Sequence, residues 1–258
     1  MAASYPDLAG RAALVTGASS GIGFGIARAL LAQGVRVAVQ YRKNHAGARE
    51  LSTGHEDRAF PVEADLSTER GCVALAREAL DKLSGIDVLV HSAGIWNAAP
   101  IEAMRAEQLE EMFRVNTFSA FYLVRELAFA LRASGRGSIV LIGSTAGQRG
   151  EERHSHYAAS KGALQSLAMS LAVELAPAIR TNVVSPGWIR TPMAEPALRT
   201  IGPIVASTLP NRRLGEVEDV VNAVLYLASD ASSHLLGENL SVSGGALLVM
   251  PRGQLQPR

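Results

Sequence analysis

Cysteine is almost absent from this chain: Cys72 is the only one among 258 residues, so no intrachain disulfide can form and a reducing, cytoplasmic setting is expected. Charge imbalance is absent as well. Lys and Arg total 25 against 24 Asp and Glu, which leaves no basic field for nucleic acid or an anionic membrane. Long apolar runs are missing too. The longest stretch free of charged residues and His, 12–27, falls short of the roughly 20 residues a membrane helix needs and holds four glycines. The first ten residues contain Pro6 and Asp7 and no apolar core, so no signal peptide is read there. No linker or repeat divides the chain. A soluble, intracellular protein is the expectation.

What is present is alternation. Short β-rich apolar runs at 12–16, 35–39, 59–62, 88–91, 138–142, 181–184 and 239–242 read as strands. Amphipathic stretches at 23–33, 44–52, 68–83, 103–133, 157–175 and 217–228 read as helices between them. This predicts an α/β fold, a doubly wound parallel sheet of seven strands with helices on both faces. Gly34 marks the end of the first helix, and Ser67 or Thr68 can cap the third. Cys72 falls in that third helix and reads as a small packing residue. The segment 185–215, with Pro186, Pro192, Pro196, Pro203 and Pro210, reads as irregular and as a candidate lid. Residues 251–258 read as a loose tail or subunit-contact arm.

Chemistry concentrates in Tyr157-Ala158-Ala159-Ser160-Lys161, with Ser144 thirteen positions upstream. Residues four apart share a helix face, so Lys161 lies beside Tyr157. A phenol with a pKa of about 10 is a poor acid–base group at neutral pH, and a neighbouring ammonium is expected to lower it. Ser144 can hold a carbonyl oxygen. The set suits proton transfer between a ketone and an alcohol, which requires a hydride carrier.

A place for that carrier lies near the N-terminus. Thr16-Gly17-Ala18-Ser19-Ser20-Gly21-Ile22-Gly23 follows the first strand and opens the first helix, so its glycines let a pyrophosphate approach free amides. The spacing differs from the common Gly-x-Gly-x-x-Gly. After the second strand stand Tyr41, Arg42 and Lys43, with no acidic residue at 40–44. An acid there would bind a ribose hydroxyl; Arg42 and Lys43 instead suit a 2′-phosphate, which selects NADP(H). The bland alternative is that both are solvated loop cations. Asp65, followed by Leu66, either contacts the adenine or caps the next helix. Trp96, Trp188 and Met193 are candidates for an apolar substrate pocket, with ordinary packing as the alternative for Trp96. His154 and His156 lack the Cys or carboxylate partners of a zinc site, and no metal is expected.

On these motifs the chain resembles the short-chain dehydrogenase/reductase family of the classical type. The resemblance runs from about residue 8 to 250 through Thr16-Gly17-x-x-x-Gly21-Ile22-Gly23, Ala93-Gly94, Asn116, Ser144, Tyr157-x-x-x-Lys161, Asn182 and Pro186-Gly187-x-x-x-Thr191. It is most similar to the 3-oxoacyl-carrier-protein reductase type. The resemblance implies an NADP-dependent ketoreductase with Tyr157 as general acid, Lys161 acting on it and on the nicotinamide ribose, and Ser144 orienting the carbonyl. It implies Asn116 in a water-mediated proton relay, and Pro186, Gly187, Ile189 and Thr191 over the nicotinamide. The implied cofactor contacts include Ser19, Ser20, Ser92, Ala93, Gly94, Asp65 and Leu66. A homotetramer built on the helices 103–133 and 157–175 is also implied. The substrate is then a small-molecule or carrier-bound carbonyl compound, such as a 3-oxoacyl thioester or a secondary-metabolite ketone. Two departures stand out: Ser92 where the family has Asn, and Ser243 where it has Asp in Val-Asp-Gly-Gly. Other readings are an NAD-linked alcohol or sugar dehydrogenase, and a non-catalytic NADP(H)-binding sensor or scaffold.

Overall fold

The computed structural model describes residues 3–248. The strands are β1 (Ala12–Val15), β2 (Arg36–Tyr41), β3 (Ala59–Glu63), β4 (Val88–His91), β5 (Gly137–Ile142), β6 (Ile179–Pro186) and β7 (Asn239–Val242). They form one parallel sheet in the order β3-β2-β1-β4-β5-β6-β7. Each strand expected from the apolar runs is present, and β6 is longer than expected at both ends. Pro61 is accommodated because β3 is an edge strand, where one ladder donor is dispensable.

Nine α-helices connect the strands among the described residues: α1 (Gly21–Ala32), α2 (His45–Ser52), α3 (Glu69–Leu83), α4 (Ala106–Phe113), α5 (Ser119–Ala133), α6 (Ala146–Arg149), α7 (Ser155–Leu175), α8 (Glu195–Thr208) and α9 (Val217–Ala228). Side chains alternate across the sheet with the period of two that strands impose. Leu14, Leu89, Ile139 and Leu141 pack with Leu75, Leu123, Leu127 and Leu164 of α3, α5 and α7. Val15, Val37, Val90 and Val140 face the other way, onto Ile26, Leu30, Val220 and Val224 of α1 and α9. The doubly wound architecture follows from that alternation. None of the described helices is long and apolar enough to cross a membrane.

Two expectations need correction. The stretch 103–133 is not one α-helix: α4 and α5 are joined by a π-helical segment, Arg114–Phe118, that widens the turn around Asn116. The segment 185–215 is not irregular throughout, since α8 fills much of it. Pro196 sits in the helix's first turn, where a missing N–H costs nothing, and Pro203 is tolerated inside it. The expected tail at 251–258 and the end of the 8–250 core lie outside the described residues.

The fold is pinned on the side away from the strand C-termini by Arg11. Its side chain is fully buried. It bonds the Asp7 carbonyl at 2.9 Å and the Ala228 carbonyl at 3.2 Å, and pairs with Asp7 at 2.8 Å and Asp230 at 2.7 Å. Arg11→Met should lower unfolding free energy by about 2 kcal/mol in urea titration. The two carboxylates are partly exposed and rehydrate, which keeps the loss below that of a fully buried pair.

Candidate active site

In an open parallel sheet, ligands bind beyond the strand C-termini where the strand order reverses. Here the reversal falls between β1 and β4, and a cavity of about 330 Å³ opens at that point. The turn after β1 contributes Gly17, Ser20, Gly21, Ile22 and Gly23, and the turn after β4 contributes Ser92, Ala93 and Gly94. Ser144 enters after β5, Tyr157 and Lys161 from α7, Pro186 at the end of β6, and Gly187, Trp188, Ile189, Thr191 and Met193 after it. Most residues singled out by sequence therefore meet in one place.

The glycine turn has a steric reason. Gly17 has φ of +63°, and a Cβ there would lie 2.9 Å from Ala93 Cα, so the two turns touch through backbone. Three residues hold this arrangement: Thr16, which opens the motif read from sequence, and Gln40 and Asn44, which sequence reasoning passed over. Thr16 Oγ1 accepts the amides of Ser92 and Ala93, both at 3.0 Å. Gln40 accepts the Gly17 amide at 2.7 Å and donates to the Ala64 carbonyl at 2.9 Å. Asn44 donates to the Ser19 carbonyl at 2.7 Å. Their signal was visible: Thr16 ends an apolar run, and Gln40 interrupts one. The Ser20 side chain does not cap α1, so that helix's first-turn amides keep their capacity to meet an anion.

A second group stands apart from the cavity. Tyr41, Arg42, Lys43, Asp65 and Leu66 lie at the neighbouring ends of β2 and β3, and Ser19 in the turn after β1, all outside its lining. Arg42 and Lys43 are exposed. The Asp65 carboxyl is held below its usual range first by the Ser67 amide, which it accepts at 2.9 Å, and also by the charges of Arg42 and Lys43. The cap of α3 is Thr68, whose hydroxyl accepts the Gly71 amide at 3.1 Å, and not Ser67. Tyr41 packs its ring 4.8 Å from that of His45.

Around Tyr157 stand several buried, hydrogen-bonded polar groups. Lys161 is buried and its Nζ donates to the Ile142 carbonyl at 2.8 Å. Asn116 does not line the cavity. Its carboxamide accepts the Ile95 amide at 2.8 Å and donates to the Ile95 carbonyl at 3.0 Å and the Ser160 hydroxyl at 3.1 Å. Gly94 fills the gap between: a Cβ there would lie 3.3 Å from both Asn116 Oδ1 and Lys161 Nζ. Burial pushes the Tyr157 phenol up to about 12, against a smaller downward pull from the Ser144 hydroxyl. Burial brings the Lys161 ammonium down to about 8. The expected lowering of the phenol by Lys161 is not among the influences on it; desolvation dominates, and Tyr157 holds its proton at neutral pH.

The far wall is aromatic. Trp96 and Trp188 both line the cavity and meet edge to face, with centroids 5.9 Å apart. Met193 lines it as well but is half exposed. His154 stacks on Trp96, and His156 bonds Asn97 Oδ1 at 3.0 Å, so each imidazole has a packing partner. The departure Ser243 lies against Gly187, where a Cβ would come within 3.1 Å of Ser243 Cα. Asn182 ties β6 to the segment before β7 through the Leu235 carbonyl and the Glu238 amide.

A family model described as enoyl-(acyl carrier protein) reductase matches residues 17–246. Acetoacetyl-CoA reductase of Rhizobium meliloti is 36% identical over 239 residues, covering 91% of this chain and 98% of that protein. The 3-oxoacyl-(acyl-carrier-protein) reductase of Escherichia coli is 32% identical over 241 residues, covering 93% and 98%. Among solved structures, a short-chain dehydrogenase/reductase described as glucose/ribitol dehydrogenase from Brucella melitensis superimposes with a TM-score of 0.91 at 32% identity, covering 96% of this chain and all of that one. A Beutenbergia cavernae structure with NADP bound at low occupancy gives 0.88 at 35% identity, covering 94% and 98%.

The buried amine has a consequence for stability. With a native pKa near 8 against an ordinary 10.5, Lys161 binds fewer protons folded than unfolded between those values, so its contribution to stability rises with pH across that window. Tyr157, displaced from 10 to about 12, acts only above pH 10 and in the opposite sense. Urea unfolding of wild type and Lys161→Met at pH 8 and pH 10 should show a gain on the order of 2 kcal/mol in wild type that the variant lacks.

Proposed function

The chain belongs to the short-chain dehydrogenase/reductase family of oxidoreductases, and from that premise we propose that it is an NADP(H)-dependent ketoreductase. The observation that carries this reading is the convergence of Ser144, Tyr157 and Lys161 on the cavity that the glycine turn also lines. A nicotinamide cofactor supplies the hydride when bound. The residues fit such a group: the uncapped first turn of α1 suits a pyrophosphate, and the backbone-on-backbone contact of Gly17 with Ala93 leaves its approach clear of side chains. Gly21, Ile22, Gly23, Ser92, Ala93 and Gly94 would hold its centre. Pro186, Gly187, Ile189 and Thr191 would cover its nicotinamide end. Arg42 and Lys43 would meet a 2′-phosphate, with Ser19, Tyr41, Asp65 and Leu66 around the adenosine.

In this reading the Ser144 hydroxyl donates to the ketone oxygen. Tyr157, still protonated at neutral pH, donates a second hydrogen bond and then its proton as negative charge grows on that oxygen. Lys161 favours the phenolate that results. Asn116 acts as a positioning residue, fixing the Ile95 main chain and the Ser160 hydroxyl beside Lys161 for the return of a proton.

The segment 185–215 serves as the lid of a single domain. Its base is fastened by Arg190 N to the Gly215 carbonyl and Gly215 N to the Trp188 carbonyl, both at 2.9 Å, which leaves α8 as the part that closes. A homotetramer through α5 and α7 accords with Phe129 and Val173, which are 82% and 83% exposed. The buried free thiol of Cys72 accords with a cytoplasmic setting. The name of the Brucella melitensis neighbour favours a sugar dehydrogenase as second reading, against which stands the basic pair at the end of β2.

Tyr157→Phe should keep the fold and NADPH binding but lose turnover by roughly a hundred- to ten-thousand-fold in an NADPH-oxidation assay. Near-normal turnover in that variant overturns the assignment. Arg42→Ala should weaken NADPH binding about ten-fold and leave NADH binding nearly unchanged, as read by fluorescence titration of each nucleotide. Equal losses for the two would return Arg42 to an ordinary surface cation.

A further inference from the structure

We propose that the ketone this cavity selects is a neutral molecule whose carbonyl is attached to, or part of, a flat aromatic ring system; the inference rests on the ketoreductase reading above. It comes from the side chains that share the cavity with Tyr157 and Ser144. Trp96, from the loop after β4, and Trp188, from the segment after β6, are set edge to face at 86° with centroids 5.9 Å apart. The His154 imidazole lies parallel to Trp96, with 3° between planes and centroids 4.7 Å apart. Glu151 accepts the Trp96 indole N–H at 3.2 Å and stands 3.6 Å from His154 Nδ1. Three separate segments thus lock one another into a rigid aromatic wall.

A wall fixed before binding favours ligands that lose little freedom on meeting it. A flat ring gains both burial and stacking against indole, whereas a flexible acyl thioester gains only ordinary contact and must freeze several torsions. A polyhydroxy ketone needs several polar partners, but the Glu151 oxygen nearest the wall already accepts the Trp96 N–H. Glu151 also lines the cavity, so its negative charge opposes a keto acid. Arg149 and Lys161 line the cavity as well, but Arg149 is exposed and screened by solvent, and the Lys161 ammonium is bonded to the Ile142 carbonyl.

The test is a kcat/KM comparison, with NADPH and NADH in parallel, on acetophenone and 1-tetralone, an acetoacetyl thioester, a neutral ketohexose, and benzoylformate as the anionic aryl ketone. The aryl ketones should exceed both the thioester and the ketohexose by about ten-fold or more. Trp188→Ala should remove most of that ratio, and Trp188→Phe should restore much of it. Glu151→Gln, which keeps an acceptor for the Trp96 indole, should raise benzoylformate relative to acetophenone. A preference for the thioester or the ketohexose, or a ratio indifferent to Trp188→Ala, overturns the inference while leaving the ketoreductase reading intact. The wild-type comparison decides this even if a variant fails to fold. Silence toward every ketone, with both nucleotides, overturns the ketoreductase reading itself.

Discussion

Lys161 carries an ammonium group into the interior, where only 4% of the residue remains exposed. An ion so placed costs several kcal/mol unless its protons are bonded. Here the described residues offer it no carboxylate; its bond is to the Ile142 carbonyl, at the last position of β5. The strand end therefore fixes where the cation sits, and the cation fixes which part of α7 must lie over the sheet. The same surroundings keep a second ionisable group silent. His91 is fully buried, and burial together with the charge of Lys161 brings its imidazole down to about 3. Of these two basic groups beneath the cavity, one is charged at neutral pH.

The widened turn at Arg114–Phe118 is the counterpart of that constraint. It is held from below by His91, which bonds the Ser119 hydroxyl at 2.7 Å, while Ser119 in turn donates to the Val115 carbonyl at 2.7 Å. From above it is fastened to α7 at one residue. Asn116 donates to the Ser160 hydroxyl, Thr117 donates to the Ser160 carbonyl at 3.0 Å, and Ser160 donates to the Tyr157 carbonyl at 2.8 Å. Ser160 thus ties the π turn to the Tyr157 main chain, while Lys161, the next residue, is held separately by the Ile142 carbonyl. Displacing Asn116, Thr117 or Ser160 shifts the others, which is the behaviour expected of a satisfied buried network.

Much of this was legible beforehand, and for identifiable reasons. The strands are buried on both faces and so read as continuous apolar runs, and the Tyr157–Lys161 spacing declares a shared helix face. The turn at Thr16 to Gly23 was legible because glycine there answers a steric demand that no other residue meets. The π turn was not legible, because 103–133 keeps a helical apolar pattern while the backbone takes up one extra residue per turn. Nor was α8, since its prolines argue against a helix unless one knows that Pro196 falls in the first turn. The raised phenol was misread for a different reason: sequence shows which charges are near, but desolvation depends on burial in three dimensions, and here it is the larger effect.

The two halves of the cleft differ in what holds them. On the side of the glycine turn the contacts are backbone to backbone or backbone to a buried polar side chain, as with Gly17 on Ala93, Thr16 on Ser92 and Gln40 on Gly17. Such contacts depend on the sheet, and changing them disturbs the fold. On the other side the wall is made of side chains meeting one another, Trp96 with His154, Trp188 and Glu151, carried on segments outside the strands. Those side chains can change without touching a ladder hydrogen bond. On the ketoreductase reading proposed above, a scaffold divided in this way keeps the turn that holds the cofactor constant while the substrate wall is free to change, in line with relatives of similar fold bearing names as different as acetoacetyl-CoA reductase and glucose/ribitol dehydrogenase.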